Sequence, residues 1–81
     1  MKKPIEIFEY KQRWRRNGGY SVRLHSDLRG NGKDWCKTQL NREQWDFSQY
    51  TNIYEDTFHF EYKQDAASFK KQFIKYADME V

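Results

Sequence analysis

The stretch Thr57-Phe58-His59-Phe60-Glu61-Tyr62-Lys63 decides the fold. Phe58, Phe60 and Tyr62 recur at every second position, with polar residues between them. A period of two sends side chains alternately to opposite faces of a sheet. Residues 57–63 therefore read as a strand with one aromatic face and one solvated face. Asp65 follows as a helix cap. Ala66, Phe69, Phe73, Tyr76 and Ala77 then share one side of a final helix. Lys70, Lys71 and Lys75 lie off that stripe, where they suit the negative end of the helix dipole. A strand feeding a helix that can cover its rings is an α+β unit.

Working towards the N-terminus, residues 20–26 also alternate. Tyr20, Val22 and Leu24 face one side, and Ser21, Arg23 and His25 the other. That is a half-buried antiparallel strand. Before it, Arg15-Arg16-Asn17-Gly18-Gly19 contains Asn-Gly, the strongest short hairpin signal. Residues 5–14 read as the preceding strand: Ile5 and Ile7 point one way, Phe8, Tyr10 and Trp14 the other. Pro4 fits the start of such a strand. Asp27 to Lys33, with Gly30 and Gly32, reads as a loop. Residues 34–40 give a third strand, with Cys36, Thr38 and Leu40 on one face. Asn41 and Gln44 have capping-box spacing, which predicts a short helix over 42–50 with Trp45, Phe47 and Tyr50 inward. Residues 52–56 are ambiguous; Ile53 and Tyr54 are expected to pack locally. The expectation is one α+β domain over residues 1–81. It is a small two-layer sandwich in the order βββαβα, with a mostly antiparallel sheet of three or four strands and one short and one longer helix.

Composition narrows the function. The chain has 81 residues, 37% hydrophobic and 33% charged, so its core is thin. Aromatics, at 19%, compensate because each ring buries a large area. No run approaches a membrane span or a signal peptide. A single cysteine cannot form an internal disulfide. A cytoplasmic protein with no membrane role is expected. Residues 1–42 hold 11 Lys/Arg against 4 Asp/Glu, whereas residues 43–81 hold 4 against 8. That asymmetry predicts a basic surface, which attracts nucleic acid or an acidic protein.

Chemistry-bearing groups are sparse. His25, Cys36 and His59 have no zinc-site spacing, so no metal or cofactor is expected. Cys36 alternates with Thr38 and Leu40, which makes it a small core residue before it is a nucleophile. Glu55 and Asp56 sit in a turn with no evident cleft. Arg29-Gly30-Asn31-Gly32-Lys33 looks like a phosphate-cradling loop but lacks the nucleotide-binding spacing. The strongest signal is Tyr10-Lys11-Gln12-Arg13-Trp14-Arg15-Arg16, where cations alternate with rings. Lys11, Arg13, Trp14, Arg15, Arg16 and Arg23 are the expected partner contacts. Arg29, Lys33 and Lys37 form a secondary basic loop. Such a patch suits single-stranded nucleic acid, through stacking and phosphate neutralisation. It equally suits an acidic protein surface, because Trp and Arg are favoured hot-spot residues. Everything depends on the first turn projecting these groups outward.

Two resemblances bear on this. Phe58-His59-Phe60-Glu61-Tyr62, followed by Asp65-Ala66-Ala67, Phe69 and Phe73, resembles the strand-to-helix unit of ferredoxin-like domains, including RNA-recognition motifs. The glycine and basic start of that motif are missing before Phe58. The size, the segment from Phe58 to Phe73 and the run from Cys36 to Trp45 resemble small α+β accessory proteins of tailed bacteriophages. That resemblance implies a non-enzymatic protein that binds a host protein or nucleoprotein complex stoichiometrically, such as a defence system of the CRISPR kind. The alternative is an RNA- or single-stranded-DNA-binding module. A homodimer could form through an open sheet edge.

Overall fold

In the computed structural model, which describes residues 3–73, the chain is an α+β protein. Its elements are α1 (Pro4–Arg16), β1 (Tyr20–His25), α2 (Arg29–Gln39), β2 (Trp45–Ser48), β3 (Glu55–Phe60) and α3 (Lys63–Gln72). The sheet is antiparallel, in the order β1-β3-β2. Tyr20 pairs with Phe60 and His25 with Glu55; Trp45 also pairs with Phe60, and Ser48 with Thr57.

The fold class agrees with the sequence, but four segments differ. Residues 5–14 form a helix, not a strand. Pro4 opens it at the first helical turn, where a missing N–H costs nothing. Ile7 and Trp14, one heptad apart, are its buried residues. Arg13, Arg15 and Arg16 complement its C-terminal dipole. Asn17-Gly18 ends this helix instead of closing a hairpin: Gly18 has φ +89° and the Gly19 N–H donates to the Trp14 carbonyl.

The loop at 27–33 and the strand at 34–40 are replaced by a 3-10 turn (Ser26–Leu28) and α2. Gly30 and Gly32 are therefore helical. At Gly32 a Cβ would lie 2.6 Å from the Phe58 ring and 3.1 Å from Leu24. The glycine lets α2 approach the sheet, and Cys36, one turn on, enters the same core. Overpacking typically costs about 1–3 kcal/mol, against about 1 kcal/mol of helix propensity gained by alanine. Because Phe58 is fully buried, its ring cannot give way. Gly32→Ala should thus lower the melting temperature despite the better helix former. The penalty should shrink in a Phe58→Leu background, a non-additivity that a double-mutant cycle reads directly. A stabilised single variant would refute the close-packing role.

The helix expected at 42–50 is the fourth difference. The Asn41/Gln44 capping box exists, but it closes a single 3-10 turn (Arg42–Gln44). The backbone then extends into β2, and Trp45 and Phe47 alternate as strand residues. Ile53 and Tyr54, expected to pack locally, are 78% and 64% exposed, with Tyr54 stacked on His25 at 6.4 Å.

The decisive stretch behaves as read up to Phe60, where β3 ends; Lys63 opens α3, and Asp65, expected as its cap, lies in its first turn. Phe58 and Phe60 are fully buried under Phe69, with ring centroids 4.8 and 5.2 Å away. Val22, Leu24, Cys36, Ala66 and Phe73 complete the core, between the sheet and helices α2 and α3. Tyr62 lies beyond the strand, caps α3 and stays exposed. Lys75, Tyr76 and Ala77 lie outside the described residues. No helix among the described residues is long and apolar enough to cross a membrane.

Candidate functional site

Pairing puts Ser21, Arg23, Asp46, Ser48, Thr57 and His59 on the sheet face opposite the core. His59 joins all three strands there. Its Nδ1 lies 3.0 Å from Ser21 Oγ, and its Nε2 lies 2.8 Å from Ser48 Oγ and 3.3 Å from an Arg15 nitrogen. A guanidinium can only donate, so Nε2 accepts and the ring proton sits on Nδ1, facing Ser21. Burial, and then the Arg15 charge, lower the His59 pKa, so the ring is neutral near pH 7. Arg15 and Ser48 share the Nε2 lone pair, which leaves His59 a weak base towards the serine.

Arg15 continues to Asp46, 2.8 Å away. Asp46 in turn accepts from the Phe47 N–H at 2.9 Å. The ladder bond from the Glu61 N–H to the Gln44 carbonyl sets the phase, which turns the backbone groups of Trp45 and Phe47 away from β3. The Phe47 donor on the outer edge of β2 is thus capped from within the chain, one way of blunting an edge strand.

The expected docking surface at 10–16 is dismantled by this arrangement. Trp14 is 8% exposed and lies against Gly19, with its Nε1–H donated to the Glu43 carbonyl at 2.9 Å. Arg15 is committed to Asp46 and the His59 cluster. Arg13 lies over the Tyr10 ring at 5.6 Å and Arg16 is exposed. Arg23 is exposed on the outer sheet face, paired with Thr57. The secondary basic loop is divided too. Arg29 forms a bidentate pair with buried Asp56, at 3.0 and 3.2 Å, and covers the Tyr50 ring.

Lys11, Lys33 and Lys37, in contrast, come together. Helices α1 and α2 flank β2, and their cations converge on its inward rings. Lys11 lies 5.6 Å from the Trp45 ring centre and Lys33 4.3 Å from that of Phe47. Lys11, Lys37, Leu40, Arg42 and Trp45 line a groove of about 350 Å3. Its floor is apolar and its rim carries three cations. Burial lowers the Lys11 pKa; Asp46 opposes that shift and Arg42 adds to it. Sequence reasoning missed Arg42 and Trp45 because it placed residues 42–50 in a helix, and Leu40 because it placed residues 34–40 in a strand. The period-two pair Trp45/Phe47 was the available signal.

The remaining candidates do not assemble. His25 Nδ1 accepts from the Asp27 N–H, while Cys36 is fully buried in the core. Burial pushes the Cys36 thiol up to about 12, so it is not a thiolate near neutrality. Among the described residues no group of three or more His, Cys, Asp or Glu side chains could hold a metal ion. Comparison with protein-family models, curated proteins and solved structures gives no match to this chain.

Proposed function

We propose that the chain is a small non-enzymatic binding protein that engages an acidic surface of a partner through the groove beside β2. In keeping with its resemblance to phage accessory proteins, the partner is a host protein or nucleoprotein complex in the bacterial cytoplasm, and binding modulates it by occupancy. The convergence of Lys11, Lys37 and Arg42 over Trp45 carries this reading. The polar pocket beside His59 measures only about 250 Å3 and sits where Arg15 already occupies the imidazole.

One observation favours protein over single-stranded nucleic acid. Base stacking needs an open ring face. Trp45 carries Lys11 and stacks on Phe58, Phe47 carries Lys33, and Tyr50 carries Arg29. The groove's own ring, Trp45, therefore has Lys11 on it and Phe58 stacked against it, whereas carboxylates need only the cations.

The test is fluorescence anisotropy with a labelled glutamate-rich peptide and an oligothymidylate of equal charge, at physiological salt. The peptide should bind more tightly than the oligonucleotide. The double variant Lys37→Glu/Arg42→Glu should weaken it by about tenfold or more, because two attractions become repulsions. Both side chains are exposed, so circular dichroism should not change. Tighter binding of the oligonucleotide would overturn the reading.

A further inference from the structure

We infer that the groove recognises a linear motif, namely a bulky apolar side chain flanked by carboxylates, so that charge alone does not make a ligand. This rests on the acidic-partner reading and specifies what that partner presents. Leu40 and Trp45 form the apolar floor, while Lys11, Lys37 and Arg42 stand around it. A purely electrostatic site would need no such floor, and a purely apolar one would not gather three cations. The lysine stems extend the apolar lining below their ammonium groups. At about 350 Å3 the groove falls within the range of pockets that enclose small ligands, roughly 300–1,000 Å3. It is therefore large enough for one anchoring side chain. On α1, Phe8 lies one turn before Lys11 on the same helix face and is 58% exposed. It offers a second apolar contact to a chain leaving the groove.

The occupant is a segment of an acidic partner and not a strand added to β2. The β2 edge donor at Phe47 is already taken by Asp46, so main-chain pairing would first have to break that bond. Charge complementarity sets the flanks of the motif, and the floor sets its centre.

The experiment compares two labelled acidic peptides that differ only in a central leucine or serine, titrated with the full chain. Burying the leucine should tighten binding by about tenfold or more. Lys37→Glu should weaken both peptides alike. Leu40→Ala, checked for an unchanged circular dichroism spectrum, should abolish the preference for leucine while leaving the serine peptide unaffected. Equal affinities for the two peptides would overturn the motif but leave the acidic-partner reading standing. Failure of both to bind would remove both. Displacement of the leucine peptide by an oligothymidylate of equal charge would make the groove a nucleic-acid site and overturn the inference.

Discussion

Phe58→Ala should be the most damaging single substitution in the sheet. Phe58 sits at the centre of the middle strand, fully buried, with Phe47 and Phe69 ring centroids 5.0 and 4.8 Å away and Trp45 stacked at 6.5 Å. Removing a buried phenylalanine costs about 3–5 kcal/mol, part lost transfer energy and part residual cavity. A domain this size has roughly 4–12 kcal/mol in total. The loss should lower the melting temperature by about 15 °C or more, and it should also disturb the groove, because Trp45 and Phe47 both rest on this ring. Thermal unfolding followed by circular dichroism checks the first effect, and acidic-peptide binding the second. A shift under about 5 °C would mean the ring is not the keystone of the packing.

The same ring explains which parts of the fold were legible. Where one face is core and the other is water, alternation is unambiguous, as in residues 20–25; in residues 57–60 the aromatic period is legible although Thr57 is buried on the outer face. The Ala66, Phe69 and Phe73 spacing reads as cleanly because only one face of α3 is buried. Residues 5–14 are different. Large apolar groups occur there on both strand parities, yet only Ile7 and Trp14 are buried; Ile5 and Phe8 are 60% and 58% exposed. The exposed pair mimics a strand covered on both sides. In α2 the misleading residues were glycines. Gly32 signals a loop by propensity, but it is retained in a helix by the nearness of Phe58, a tertiary fact. The capping box at Asn41 is a local signal that was obeyed locally, for one turn, before the strand period of Trp45 and Phe47 prevailed. The candidate site was legible only as composition. Lys11, Lys33 and Lys37 were identified as cations, but their meeting depends on two helices, one read as a strand and the other as a loop followed by a strand.

Asp56→Ala should be comparably damaging, by a different mechanism. Asp56 faces the core side of β3 and is fully buried, unlike the solvated turn acid its neighbourhood suggested. Burial pushes its carboxyl up, but hydrogen bonds from Arg29 and the Tyr50 N–H outweigh that and hold the pKa below the usual carboxylate value. The group also pins Tyr50, a non-glycine residue at φ 53°, and with it the loop before β3. Removing one partner of a buried ion pair typically costs about 3–5 kcal/mol, because the other charge is left without compensation. Arg29 remains 25% exposed and can reach water, which places the expected loss near the lower end, at about 3 kcal/mol. Asp56→Asn should cost less, since its amide oxygen still accepts from Arg29 or Tyr50. The pH dependence follows from the sign of the shift. A carboxyl whose pKa is lower in the folded state binds fewer protons there than in the unfolded chain. Its stabilisation is therefore complete above the unfolded value of about 3.9 and is lost as pH falls through the folded one. Chemical denaturation from pH 7 downward should show wild-type stability falling below about pH 4, with a shallower fall in Asp56→Asn. Parallel curves for the two proteins would mean that the acid sensitivity resides in other carboxylates.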